Sequence, residues 1–151
     1  MDRYVSEPML LPPLADPDLP ITRTDLVFYD VDPLGPSYVA HVYLDAPDAN
    51  IDTPREASSG YAGSFTIFGH GGCFGDDERH CAHHGPADPF DLRAPRGVPR
   101  QVKTVTVTDA LRALDGDTFR VTVVPVVPSP DGPAPTDTLD FGQLRLLSYG
   151  S

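Results

Sequence analysis

The chain has 151 residues, of which 40% are hydrophobic and 18 are proline, and its formal net charge is −11. That length fits one domain enclosing one core, and the prolines discourage long helices. The acidic balance argues against nucleic acid or an anionic membrane as partner, because both require a basic surface.

Residues 1–24 are proline-rich with scattered apolar side chains, among them Met9, Leu10, Leu11, Leu14 and Ile21. Such a segment lies extended over a domain surface or serves as a linker; residues 25–151 are read as the domain proper. No apolar run approaches the ~18 residues of a membrane helix. The opening residues Met1 to Glu7 lack the charged-then-apolar pattern of a signal peptide. The chain therefore reads as soluble, cytoplasmic as it stands or part of a larger chain.

Leu26 to Val31 is a predicted strand, closed by the turn Asp32-Pro33-Leu34-Gly35-Pro36. Tyr38 to Leu44 alternates, with Tyr38, Ala40, Val42 and Leu44 on one face and Val39, His41 and Tyr43 on the other. A polar stretch, Ala46 to Gly60, leads into a third strand, Tyr61 to Phe68, with Tyr61, Phe65 and Ile67 expected on one face. Val102 to Val107 is β-branched and strand-like. Thr108 to Leu114 has the only helical pattern, with Thr108 or Asp109 as cap and Leu111 and Leu114 inward. Thr118 to Val124 alternates again around Phe119, Val121 and Val123, and Pro125 and Pro128 suit an edge or a strand end. Ser129 to Thr138 is a loop, and Gln143 to Tyr149 is a last strand with Leu144 and Leu146 on one face. Strand-period patterning with proline-rich connections predicts an all-β fold, an antiparallel β-sandwich with one short helix. The expected core is Leu26, Phe28, Val42, Leu44, Phe65, Ile67, Val105, Val107, Leu111, Phe119, Val121, Val123, Leu144 and Leu146.

The chemistry concentrates between residues 69 and 84. Both cysteines and four of the five histidines lie there, as Gly69-His70-Gly71-Gly72-Cys73-Phe74-Gly75 and His80-Cys81-Ala82-His83-His84. Thiolate and imidazole are ligands for zinc and copper. Seven residues separate Cys73 from Cys81, however, which is not the short pairing of a structural zinc site. The alternative is a glycine-rich loop pinned by a Cys73–Cys81 disulfide or carrying two thiols. His83 and His84 are adjacent, so in extended chain they point apart, as do His80 and Cys81. A metal set would thus combine His70, Cys73 or Cys81, His80, and either His83 or His84, with copper or zinc as the ion. His41, mid-strand, reads as an ordinary strand residue. Asp76-Asp77-Glu78 reads as a solvated acidic run. Gly63-Ser64-Phe65-Thr66 lacks the second glycine of a nucleophile elbow, so the Gly69-His70-Gly71-Gly72 run does not signal an esterase.

The order of these segments carries a resemblance. Leu26 to Val31, Ser37 to Leu44, Asp52-Thr53-Pro54-Arg55, Gly60-Tyr61-Ala62-Gly63-Ser64-Phe65, Phe68 to Cys73, and Val105-Thr106-Val107-Thr108-Asp109-Ala110-Leu111 together resemble the C-terminal β-domain of type-3 copper proteins. These are the tyrosinases, polyphenol oxidases and molluscan haemocyanins. The resemblance spans about residues 25–149 and is most specific from Tyr61 to Cys73. It implies a β-sandwich that packs over a dicopper site carried by a helical domain, and it implies that domain as partner. The helical domain itself is absent from this sequence. A type-3 site needs six histidines, mostly on helices, whereas this chain has five and no long helical pattern. The resemblance therefore implies a non-catalytic accessory or regulatory domain, not a complete tyrosinase, that covers or shields a partner's active site through Tyr61, Phe68 and Phe74. The alternative is a stand-alone copper- or zinc-binding protein using residues 70–84.

The cysteine alternatives exclude each other. A disulfide would close a nine-residue segment and contribute about 2–3 kcal/mol, less any strain. Metal ligation would require two thiolates. Thiol titration of the denatured, unreduced, metal-free protein is expected to find no free thiol; two free thiols would rule out the disulfide.

Overall fold

Residues 1–18, 20–69 and 99–150 are described by the computed structural model. Their apolar alternation builds ten strands: β1 (Tyr4–Val5), β2 (Met9–Leu10), β3 (Ile21–Val31), β4 (Tyr38–Leu44), β5 (Tyr61–Ile67), β6 (Gln101–Thr106), β7 (Thr118–Phe119), β8 (Val121–Val127), β9 (Ala134–Pro135) and β10 (Gln143–Gly150). One short helix, α1 (Thr108–Arg112), and one 3-10 turn, Ala57–Ser59, complete the described elements. No described helix is long and apolar enough to cross a membrane. The larger sheet has five strands, ordered β1-β8-β4-β5 with β9 also on β8; a three-stranded sheet runs β10-β3-β6, and β2 pairs with β7. All of these pairings are antiparallel. The fold is an antiparallel β-sandwich.

The two larger sheets meet through their apolar faces. Leu26 and Phe28 of β3 and Val105 of β6 pack against Val42 of β4, Phe65 of β5 and Val121 and Val123 of β8, all buried. Phe28 and Phe65 touch across the layers with ring centroids 4.9 Å apart, and Phe141 meets Phe28 edge-on at 5.3 Å. Leu111 plugs one end of this layer from α1, and Leu139 enters it from the loop before β10. Of the expected core, Leu144 and Leu146 are only partly buried, because β10 is the outermost strand of its sheet.

The structure departs from the sequence reading at several points. β3 starts at Ile21 rather than Leu26, because its first residues pair with the end of β10. Thr108 does not cap α1; its hydroxyl accepts the Thr24 N–H at 2.9 Å, which ties the helix to β3. Pro125 lies inside β8, opposite Ala40. On the outer edge of β8, β1 covers Thr122 and Val123 and β9 covers Val126 and Val127, so Pro125 falls between them, where no ladder bond is lost. The expected loop Ser129 to Thr138 thus contains β9.

The proline-rich segment is bound to the sandwich along β1 and β2. Ser6 links it twice to Val121: its N–H donates to the Val121 carbonyl and its hydroxyl accepts the Val121 N–H, each at 2.8 Å. On the outer face of the three-stranded sheet, Asp25 is only 1% exposed. Arg23 Nε donates to both of its carboxylate oxygens at 3.0 and 2.9 Å, and the Thr106 hydroxyl donates at 2.8 Å. The Arg23 hydrogen bonds hold this carboxyl below the usual carboxylate range, against the opposing effect of burial. Ionised Asp25 therefore stabilises the fold above the unfolded-state pKa of about 3.9, and that contribution is lost as pH falls through its lower folded value.

Phe65→Ala and Val121→Ala are each expected to cost about 2–5 kcal/mol, because each leaves a cavity between the sheets. Urea unfolding measures this; a loss near zero for both would place these side chains outside the core.

Candidate functional site

The metal-ligand candidates His70, Cys73, His80, Cys81, His83 and His84, the proposed Cys73–Cys81 disulfide and the contact residue Phe74 lie outside the described residues. The positions flanking that segment are described. The Gly69 N–H donates to Ser37 Oγ at 2.9 Å. Arg100 donates to the Asp30 carbonyl at 2.9 Å and lies 3.9 Å from the Asp32 carboxylate and 3.7 Å from that of Asp140. Both flanks are thus anchored on or beside the connection between β3 and β4. Phe68, one residue past β5, is 76% exposed at this end of the sandwich. Tyr38 lies fully buried where β4 begins, and its hydroxyl has no hydrogen-bond partner among the described residues. Burial, with the charges of Asp32 and Asp140, pushes its pKa up to about 12, so it stays neutral.

Tyr61, the other contact candidate, is not on the face of Phe65 and Ile67. Val42 and Tyr43 are consecutive on β4, yet they pair with Gly63 and Tyr61 on β5. Ala62 is therefore an extra residue, a bulge that reverses which way Tyr61 points. Gly63 permits the bulge: its φ is +149°, and a Cβ there would sit 2.7 Å from Val105 Cγ1 of the facing sheet. Tyr61 instead packs edge-on against Tyr43, with ring centroids 5.6 Å apart, and against His41 at 6.0 Å.

This outer face of the five-stranded sheet carries a second, smaller core of Tyr43, Ala49, Val124 and Val126, partly covered by Ile51 and Tyr61. The stretch read as a polar loop folds back over it. The Tyr43 hydroxyl donates to the Thr53 carbonyl at 3.1 Å, and the Thr53 hydroxyl accepts the Asn50 N–H at 2.8 Å. Between this loop and the one after β8 lies a cleft of about 360 Å³. Val39, His41 and Tyr43 form its floor with Ser64 beside them, Ile51 and Arg55 line one side, and Pro128 and Pro133 line the other. Sequence reasoning missed this cleft, because nothing in an isolated polar stretch tells where it folds back.

His41 Nδ1 is buried and has no hydrogen-bond partner among the described residues. Burial, and secondly the charge of Arg55, lower the pKa of the ring below its ordinary value. At neutral pH His41 is an uncharged imidazole. Among the described residues no group of three or more His, Cys, Asp or Glu is placed to hold a metal ion.

No protein-family model, curated protein or solved structure matches the chain.

The His41 ring is expected to titrate below about 6.5, the ordinary histidine value. Arg55→Gln should move it part of the way back, because burial is the larger cause. Folding stability should then decline as pH falls through this window, since the unfolded chain takes up the proton more readily. Imidazole NMR against pH reads the first two effects; a full return to the ordinary value in Arg55→Gln would show that burial contributes nothing.

Proposed function

We propose that the chain is a non-catalytic accessory β-domain, similar to the C-terminal domain of type-3 copper proteins, that acts by protein contact on a copper-binding helical partner. The observation that carries the reading is Phe68. A large apolar ring, 76% exposed, stands just past a strand whose Phe65 and Ile67 are buried in the core. Exposed aromatic side chains on rigid supports are the usual anchors of protein interfaces. The residues on either side of the 70–98 segment are secured to the β3–β4 connection, so a contact made there is backed by the sandwich. Covering the entrance to an active site demands that rigidity, since a loosely held cover would admit substrate. The second reading, a copper or zinc protein using residues 70–84, rests on the density of histidine and cysteine in that stretch.

Titrating the purified chain into the helical domain of a type-3 copper protein should slow catechol oxidation, and the chain alone should turn over no catechol. Phe68→Ala should weaken the association about tenfold or more, the size expected for an aromatic anchor. An unchanged rate with no complex by sedimentation would overturn the proposal. Stoichiometric copper or zinc in the purified chain, together with that outcome, would favour the second reading.

A further inference from the structure

The cleft over His41 differs electrostatically from two other hollows of the described surface. The chain carries a net charge of −11, yet no aspartate or glutamate lines this cleft, and Arg55 does. Of two further hollows among the described residues, one is lined by Asp45 and Asp109, and in the other the cation, Arg112, is paired with Asp109 at 3.7 Å. Arg55 makes no ion pair among the described residues. Its charge is nevertheless felt inside the cleft, where it adds to the lowering that burial gives His41 and partly opposes the rise that burial gives Tyr43. A guanidinium with no ion pair among the described residues, lining a concave surface of apolar and polar groups, selects an anion, and its planar fork matches a carboxylate.

The remainder of the cleft constrains the body of that anion. Val39, Ile51, Val126, Pro128 and Pro133 supply apolar contact, and Thr53, Ser64 and Ser129 are the small polar residues among them, the Ser129 hydroxyl donating to the Gly132 carbonyl at 2.6 Å. With Nδ1 of His41 sealed, the hydrogen-bonding capacity left to that ring lies at Nε2. The volume, about 360 Å³, is at the small end of the range for ligand pockets, about 300–1,000 Å³. A flat apolar ring bearing one carboxylate satisfies the charge, the volume and the walls together. We propose that this cleft is a binding site for a small aromatic monocarboxylate, its carboxylate held by Arg55 and its ring held between the loop carrying Ile51 and the loop carrying Pro128 and Pro133. The site is distinct from the Phe68 end of β5, and its occupancy does not depend on the protein contact proposed there.

Benzoate, benzyl alcohol and inorganic phosphate serve as probes of the intact chain by amide and imidazole NMR. Benzoate should shift His41, Ser64 and Val126 in a saturable way, with a dissociation constant near 1 mM or tighter, as befits so few atoms. Arg55→Gln and Ile51→Glu should each weaken it about tenfold or more, with the remaining spectrum unchanged as proof of folding. Benzyl alcohol and phosphate should bind at least about tenfold more weakly than benzoate. Equal binding of benzyl alcohol would overturn the role of Arg55, and equal binding of phosphate would overturn the role of the apolar walls. Benzoate shifts scattered over the surface, or retained in both variants, would overturn the site itself.

Discussion

The contact between Phe28 and Phe65 lies at the centre of everything else. It joins the two sheets with ring centroids 4.9 Å apart, and packed sheets need such interdigitation across a layer about 10 Å thick. Once β3 and β5 face one another there, alternation decides the rest. The residues beside Phe65 and Val42 must look outward, and His41, Tyr43 and Ser64 are among them. The outer face of the five-stranded sheet then holds too much apolar surface to leave bare, with Tyr43, Val124 and Val126 all on it. The loop after β4 folds back to cover them. The cleft is the part of that face which the loop leaves open.

The long strands were legible because their periodicity is strong. β4 alternates over seven residues, Thr118 to Val124 alternates into β8, and every side chain chosen from β4 and β8 for the core is buried. What escaped had no period to show. β1 and β2 are two residues each, too short for any pattern, and proline-rich sequence conceals their pairing. Leu139 is 1% exposed yet sits in irregular chain, where burial follows from tertiary fit. Tyr61 was assigned the wrong face because a single extra residue, Ala62, inverts the alternation. The glycine beside it was visible as a signal, since an isolated glycine within a strand pattern marks a bulge. Thr108 had the chemistry of a cap, but the Thr24 N–H of the neighbouring strand took its hydroxyl.

The candidate sites were legible in a different measure. The histidine and cysteine run drew attention by composition, and its members lie outside the described residues. His41 drew none, since one histidine in an alternating strand looks ordinary. Only the placement of Arg55 and the two loops around it gives that histidine a particular environment. Arg55 comes from chain that reads as polar linker, and no local pattern brings it across to β4.

The pairing of β3 with both β6 and β10 has a kinetic consequence. β3 is the first long strand of the described elements and β10 the last, so the three-stranded sheet cannot close until β10 has been made. β4 similarly waits for β8. Contacts this distant in sequence make folding slow, because loop closure precedes any reward. During that wait Leu26, Phe28 and Val42 are uncovered on strands with open edges, a state prone to association between chains. Neighbouring nascent chains carry the same strong negative charge, and their mutual repulsion keeps these edges apart. The acidity of the chain thus also protects the interval before its sheets are complete.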